Sequence, residues 1–140
     1  MIDNITAIKW TSSNYYEMLQ LKDLTHGEMN IINGPDQMLL MGLNAGADGG
    51  IGTTYNLMVD IYKAIYQNFI NGDVKAAQNE QIRANRVITE LLKYQTIPAT
   101  KVVLESMGFS VGNATFPMKR YTEEEKRMIV SCVQKVGLDY

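Results

Sequence analysis

Three short β signals alternate with two helical ones before residue 57, and no strand signal recurs after it. Residues 5–10 are β-branched and aromatic, and 29–33 (MNIIN) and 49–53 (GGIGT) complete the strand set. Between them, Tyr15, Met18, Leu19 and Leu21 recur at helical spacing, as do Met38 to Leu43. The expected helices span 14–24 and 35–45, closed by Gly27 and Gly46. Connections this short predict a β-α-β-α-β unit with parallel strands and right-handed crossovers. A parallel sheet needs cover on both faces, and three strands are few. The expectation is therefore the end of a larger α/β fold. Residues 1–56 form the sheet and 57–140 a helical tail packed on it, as a single structural unit.

The tail reads as four helices. Leu57, Ile61, Ile65 and Phe69 recur every four residues, and Asp73 is placed to cap the next helix. That helix presents Ala77, Ala84, Val87, Ile88 and Leu91 on one face. A shorter one opens near Pro98 and runs to Met107, and 108–121 is an irregular crossing. Thr122-Glu123-Glu124-Glu125 is a capping box that starts the last helix, with Ile129, Cys132, Val133 and Val136 inward.

The chain has 140 residues, enough for one domain with a real core. Its formal charge of −2 gives no electrostatic case for nucleic acid or an anionic membrane. No apolar run reaches the roughly 18–20 residues of a membrane span. The lone cysteine, Cys132, and lone histidine, His26, make neither an internal disulfide nor a zinc ligand set, so no metal or cofactor is expected. Cysteine usage and the absence of a leader pattern predict a cytoplasmic protein. His26, Cys132, the Met38–Met41 run and the charges from Lys119 to Arg127 are read as ordinary structural or solvated groups.

Lys9 is the residue that does not fit a buried strand. Alternation puts Ile5, Ala7, Lys9 and Thr11 on one face and Thr6, Ile8 and Trp10 on the other, which suits packing against helices. Lys9 and Thr11 then stand at the C-terminal end of the strand, where parallel α/β folds build their sites. Two readings are open. Lys9 snorkels to water, or it is desolvated, and a neutral amine there attacks carbonyls to form a Schiff base. The next strand ends carry Asn33-Gly34-Pro35-Asp36-Gln37 and Asp48-Gly49-Gly50-Ile51-Gly52-Thr53-Thr54-Tyr55-Asn56. Gly34 permits close backbone approach. Asp36 sits at a helix start, where a carboxylate is favoured. Strand glycines mark a bend or a ligand's approach, yet this run is neither a dinucleotide fingerprint nor a Walker loop.

Together IKWTSSNYYEM, NGPDQMLLMGLNAGADGGIGTTYN and the helical tail resemble the second half of the N-acetylneuraminate lyase family. That family is a branch of the pyruvate-dependent class I aldolases that also includes dihydrodipicolinate synthase. The resemblance covers essentially the whole chain. It implies a partial (β/α)8 TIM barrel, equivalent to strands six to eight with their helices, followed by C-terminal helices. It implies cleavage of a 2-keto acid sugar to pyruvate and an aldehyde, N-acetylmannosamine, through a Schiff base on Lys9. It assigns substrate contacts to Thr11, Gly34, Asp36, Gln37, Ile51 (through its carbonyl) and Thr53.

Gln37 stands where sialic acid lyases usually carry glutamate, which removes a carboxylate acceptor. Strands one to five have no counterpart, nor do the loop expected to bind the pyruvate carboxylate and the tyrosine expected to relay protons. The chain alone is therefore expected to be nearly inactive, a C-terminal fragment that self-associates as a homo-oligomer or joins a missing N-terminal half. The alternatives are another pyruvate aldolase of the superfamily, or a non-catalytic, self-associating half-barrel remnant.

Overall fold

The computed structural model describes residues 4–139. Strand β1 (Ala7–Trp10) leads through helix α1 (Tyr15–Leu24) to β2 (Asn30–Asn33). Helix α2 (Leu39–Asn44) then returns the chain to β3 (Gly49–Gly50). The strands are parallel in the order β1-β2-β3, with Lys9 opposite Ile32 and Trp10 opposite Asn33. The helices α3 (Val59–Ile70), α4 (Val74–Leu91), α5 (Thr96–Ser106) and α6 (Glu123–Lys135) follow.

Local chemistry explains most boundaries. Asn14 caps α1 by accepting from Glu17 N, and Asp73 caps α4 by accepting from Ala76 N. Thr122 and Glu125 form the reciprocal capping box of α6. Two expected elements are shorter than their patterns. The helix expected over 35–45 is a 3-10 turn at Asp36–Met38 followed by the six-residue α2. The Pro35 carbonyl takes Met38 N and the Asn33 side-chain amide, while Asp36 is drawn toward Thr54. The strand expected over 49–53 pairs only at Gly49 and Gly50, and Thr53–Asn56 is another 3-10 turn.

The main core lies among the helices. Ile65, Ala77, Ala84, Leu91, Val103 and Ile129 are fully buried there, and Leu39, Leu40 and Leu43 of α2 join the same cluster. A smaller cluster of Met18, Ile31 and Ala47, with Trp10 against it, packs α1 on the sheet. β1 is the weakly covered strand. Its expected helix-facing side packs through Trp10, whereas Ile8 remains 38% exposed.

At the opposite end of the sheet from the strand C-termini, Asp48 accepts from Lys22 Nζ at 2.8 Å and from the buried Ile31 N at 2.7 Å. Burial pushes the Asp48 carboxyl up, but Lys22 and the Ile31 amide outweigh it and hold it below its ordinary value. A depressed carboxyl stabilises the fold above its unfolded pKa of about 4, and that stability is lost as pH falls through the folded value. Asp48→Asn is expected to cost about 1 kcal/mol at pH 7, kept small by the half-open setting of the pair. Urea titrations at pH 7 and pH 3 check this; an equal cost at both would refute it.

Candidate functional site

The C-terminal strand ends open into a cleft of about 370 Å³ lined by Thr11, Gly34, Asp36, Gln37, Thr53 and Thr54, with Ile88, Leu92 and Thr96 closing its helical side. Five of the seven site residues expected from sequence therefore share one cavity. Lys9 stands beside it. A methyl group on Gly34 would come within 2.5 Å of Thr11 Oγ1 and 3.0 Å of Lys9 Cε, so both side chains converge on that glycine. Gly34 N donates to Trp10 O at 2.7 Å and ties the loop down over β1. Ile51 does not line the cleft; its N donates to Asn33 O and its side chain is 55% exposed. Lys9 is also exposed, the setting of the first of its two readings, a side chain open to water, and not of the desolvated one.

The Asp36 carboxylate is built in from behind. Its Oδ2 accepts from Thr54 N at 2.7 Å and from Thr54 Oγ1 at 2.6 Å. Thr54 Oγ1 is in turn 2.7 Å from Tyr62 Oη. Thr54 has a single hydroxyl proton, which goes to Asp36, so Tyr62 is the donor of the second bond. Tyr62 is 3% exposed, and its ring stacks on Tyr55 at 3.7 Å. Burial pushes the Tyr62 phenol well above its ordinary value, only partly offset by Thr54, which keeps the proton in place at neutral pH. A side chain at Gly52 would collide with the Asp36 carboxylate.

Three further groups hold the loop and were not singled out from sequence. Asn33 Nδ2 donates to Pro35 O at 2.8 Å, and Asn33 Oδ1 accepts from Tyr15 Oη at 3.0 Å. Gln81 of α4 donates to Asp36 O at 3.3 Å, and Asn85 donates to Gln37 O at 3.2 Å. One signal for Gln81 was available: it interrupts the inward stripe Ala77, Ala84, Ile88, Leu91 with an amide. Among the described residues there is no group of three His, Cys, Asp or Glu placed to hold a metal ion. No described helix is long and apolar enough to cross a membrane.

A parallel βα unit with an amine, hydroxyls and a clamped carboxylate at its strand C-termini defines a βα-repeat protein of the kind that builds its site on that edge. The chain belongs to the dihydrodipicolinate synthetase family, whose profile matches residues 1–136. An N-acetylneuraminate lyase of Rhizobium meliloti (strain 1021) is 37% identical over 135 residues, 95% of this chain and 44% of that protein. The N-acetylneuraminate lyase structure from Aliivibrio salmonicida superposes with a TM-score of 0.90 at 24% identity, covering 99% of this chain and 46% of that one. A Clostridium difficile structure in complex with mannosamine superposes at 0.85 with 28% identity, over 91% of this chain and 44% of the other. The chain thus spans less than half the length of the relatives it matches.

Proposed function

We propose that this chain carries the imine-forming part of a class I aldolase that cleaves a 2-keto acid sugar to pyruvate and N-acetylmannosamine. Lys9 attacks the ketone. Thr11 and Thr53 offer hydroxyls to the substrate, the Gly34 backbone lets it approach, and Asp36 and Gln37 hold the hydroxyl groups of the aldehyde portion. The observation that carries this reading is the convergence of Lys9 Cε and Thr11 Oγ1 on Gly34, at the mouth of a cleft that also holds Asp36, Gln37 and Thr53. The family membership supports it.

The three strands and their helices correspond, on this reading, to strands six to eight of a (β/α)8 barrel. A barrel of that type typically needs about 250 residues. The carboxylate clamp and proton relay then come from a further stretch of polypeptide. Imine formation on Lys9 needs the lysine held in place and open to the ketone, whereas turnover also needs the carboxylate clamp and acid–base help, worth further orders of magnitude. Incubation with pyruvate and borohydride is expected to leave a reduced adduct on Lys9, absent in Lys9→Arg, while steady-state cleavage by the 140 residues stays far below that of intact lyases. A folded sample without the adduct would overturn the aldolase reading.

A second reading has its own support. The exposed Ile5 and Ile8, together with an outer edge of β1 that pairs with no strand among the described residues, suit a non-catalytic half-barrel that self-associates. Gln37, neutral where the sialic acid lyases carry an acid, suits another keto-acid sugar. The borohydride adduct separates catalyst from remnant, and competition among keto-acid sugars for its formation separates the aldolases. Size-exclusion chromatography is expected to show a concentration-dependent oligomer under either reading; a monomer at every concentration would remove the association.

A further inference from the structure

Beside the apolar wall residues Ile88 and Leu92, the helical tail reaches the cleft through buried polar groups. Gln81 is 2% exposed, and both ends of its amide are engaged. Its Oε1 accepts from Leu40 N at 3.0 Å, one of the orphan donors at the start of α2. Its Nε2 donates to Asp36 O and to Asn85 Oδ1. Gln81 therefore holds the main chain on both sides of the Asp36–Met38 turn. Tyr62, from α3, holds the other end of the same residue: its hydroxyl supports Thr54, whose own proton goes to the Asp36 carboxylate. A hydrogen-bond chain of this kind strengthens each of its links and fixes the rotamer at its end.

We propose that Gln81 and Tyr62 are positioning residues for Asp36, the first setting its backbone and the second, through Thr54, the direction of its carboxylate. This rests on the reading in which Asp36 holds the hydroxyl groups of the aldehyde portion. Neither residue is among the groups that line the cleft, so both act through Asp36. The consequence is selective. Lys9 lies on β1 and Thr11 just after it, and among the described residues no hydrogen bond joins either to Gln81, Tyr62, Thr54 or Asp36, so the ketone end of the substrate is expected to feel the clamp least.

The test uses the 140-residue chain with Gln81→Met, Tyr62→Phe, Thr54→Val and Thr54→Ser. Three quantities are read: amide hydrogen exchange at Leu40 and Thr54, the dissociation constant for N-acetylmannosamine by ligand-observed NMR, and pyruvate trapping on Lys9. Gln81→Met is expected to speed exchange at Leu40 by about 10-fold, and Tyr62→Phe to do the same at Thr54. Both, with Thr54→Val, are expected to weaken sugar binding by roughly 3- to 10-fold, the worth of one hydrogen bond, while pyruvate trapping stays within about twofold. Thr54→Ser keeps the hydroxyl and is expected to retain wild-type binding. Unchanged exchange in both Gln81→Met and Tyr62→Phe would overturn the proposal. So would equal loss of sugar and pyruvate, the mark of a merely structural role. Asp36→Asn tests the underlying reading separately. If sugar binding is absent from the wild type or survives that change, the reading fails, and the exchange data still judge the clamp.

Discussion

Leu91→Ala is expected to destabilise the chain by about 3 kcal/mol, within the 2–5 kcal/mol range for emptying a packed core site. Leu91 is 0% exposed at the end of α4 and belongs to the main cluster that joins α2 to the tail. Its neighbours one turn back on α4, Val87 and Ile88, are 1% and 5% exposed, so the site is already closely packed. Against a typical total of about 5–15 kcal/mol, a loss of this size is a large share of the stability. Urea unfolding followed by circular dichroism measures it, and a loss under 1 kcal/mol would refute the packing of α4 described above. The cleft is expected to suffer with the core, since α4 also supplies Gln81, Asn85 and the wall residue Ile88.

Gly34→Ala is expected to slow trapping of pyruvate on Lys9 by about 100-fold, the cost of misplacing reacting groups by about an ångström. The added methyl would stand 2.5 Å from Thr11 Oγ1 and 3.0 Å from both Lys9 Cε and Trp10 O. The two side chains have some freedom to move. The Trp10 carbonyl has almost none, because it accepts from Gly34 N at 2.7 Å at the point where β1 and β2 run together. The loop must lift, at a further cost of about 1–3 kcal/mol in stability. Gly49→Ala is the control: a methyl there meets nothing within 4 Å, so stability and trapping are expected to hold. If the Gly34 and Gly49 variants behaved alike, the convergence on Gly34 would carry no function.

Much of the architecture was readable from short-range chemistry. The caps at Asn14, Asp73 and Thr122 lie where their residue types demand, and the switch from strand-helix alternation to helix alone marks the tail. The strands are parallel because connections through a single helix leave little other choice. The shortening of β3 and of the helix after β2 was not readable. It depends on Asp36 meeting Thr54 across 18 residues, a partnership invisible to local periodicity.

The site divides in the same way. Alternation and loop position bring Lys9, Thr11, Gly34 and Asp36 to the strand ends, whereas Gln37 and Thr53 were indicated only by the resemblance to the lyase family. How they are held was not readable. Gln81 and Asn85 act from α4, more than 40 residues away in the chain, on the carbonyls of Asp36 and Gln37. Whether Lys9 is desolvated was open from the sequence; it is exposed to solvent, because solvation depends on what covers a strand and not on the strand's own pattern. Residue type and spacing establish the chemistry that this chain carries. Contacts between distant segments establish where each group points and how much water reaches it, because burial and hydrogen-bond geometry exist only once the chain has closed on itself.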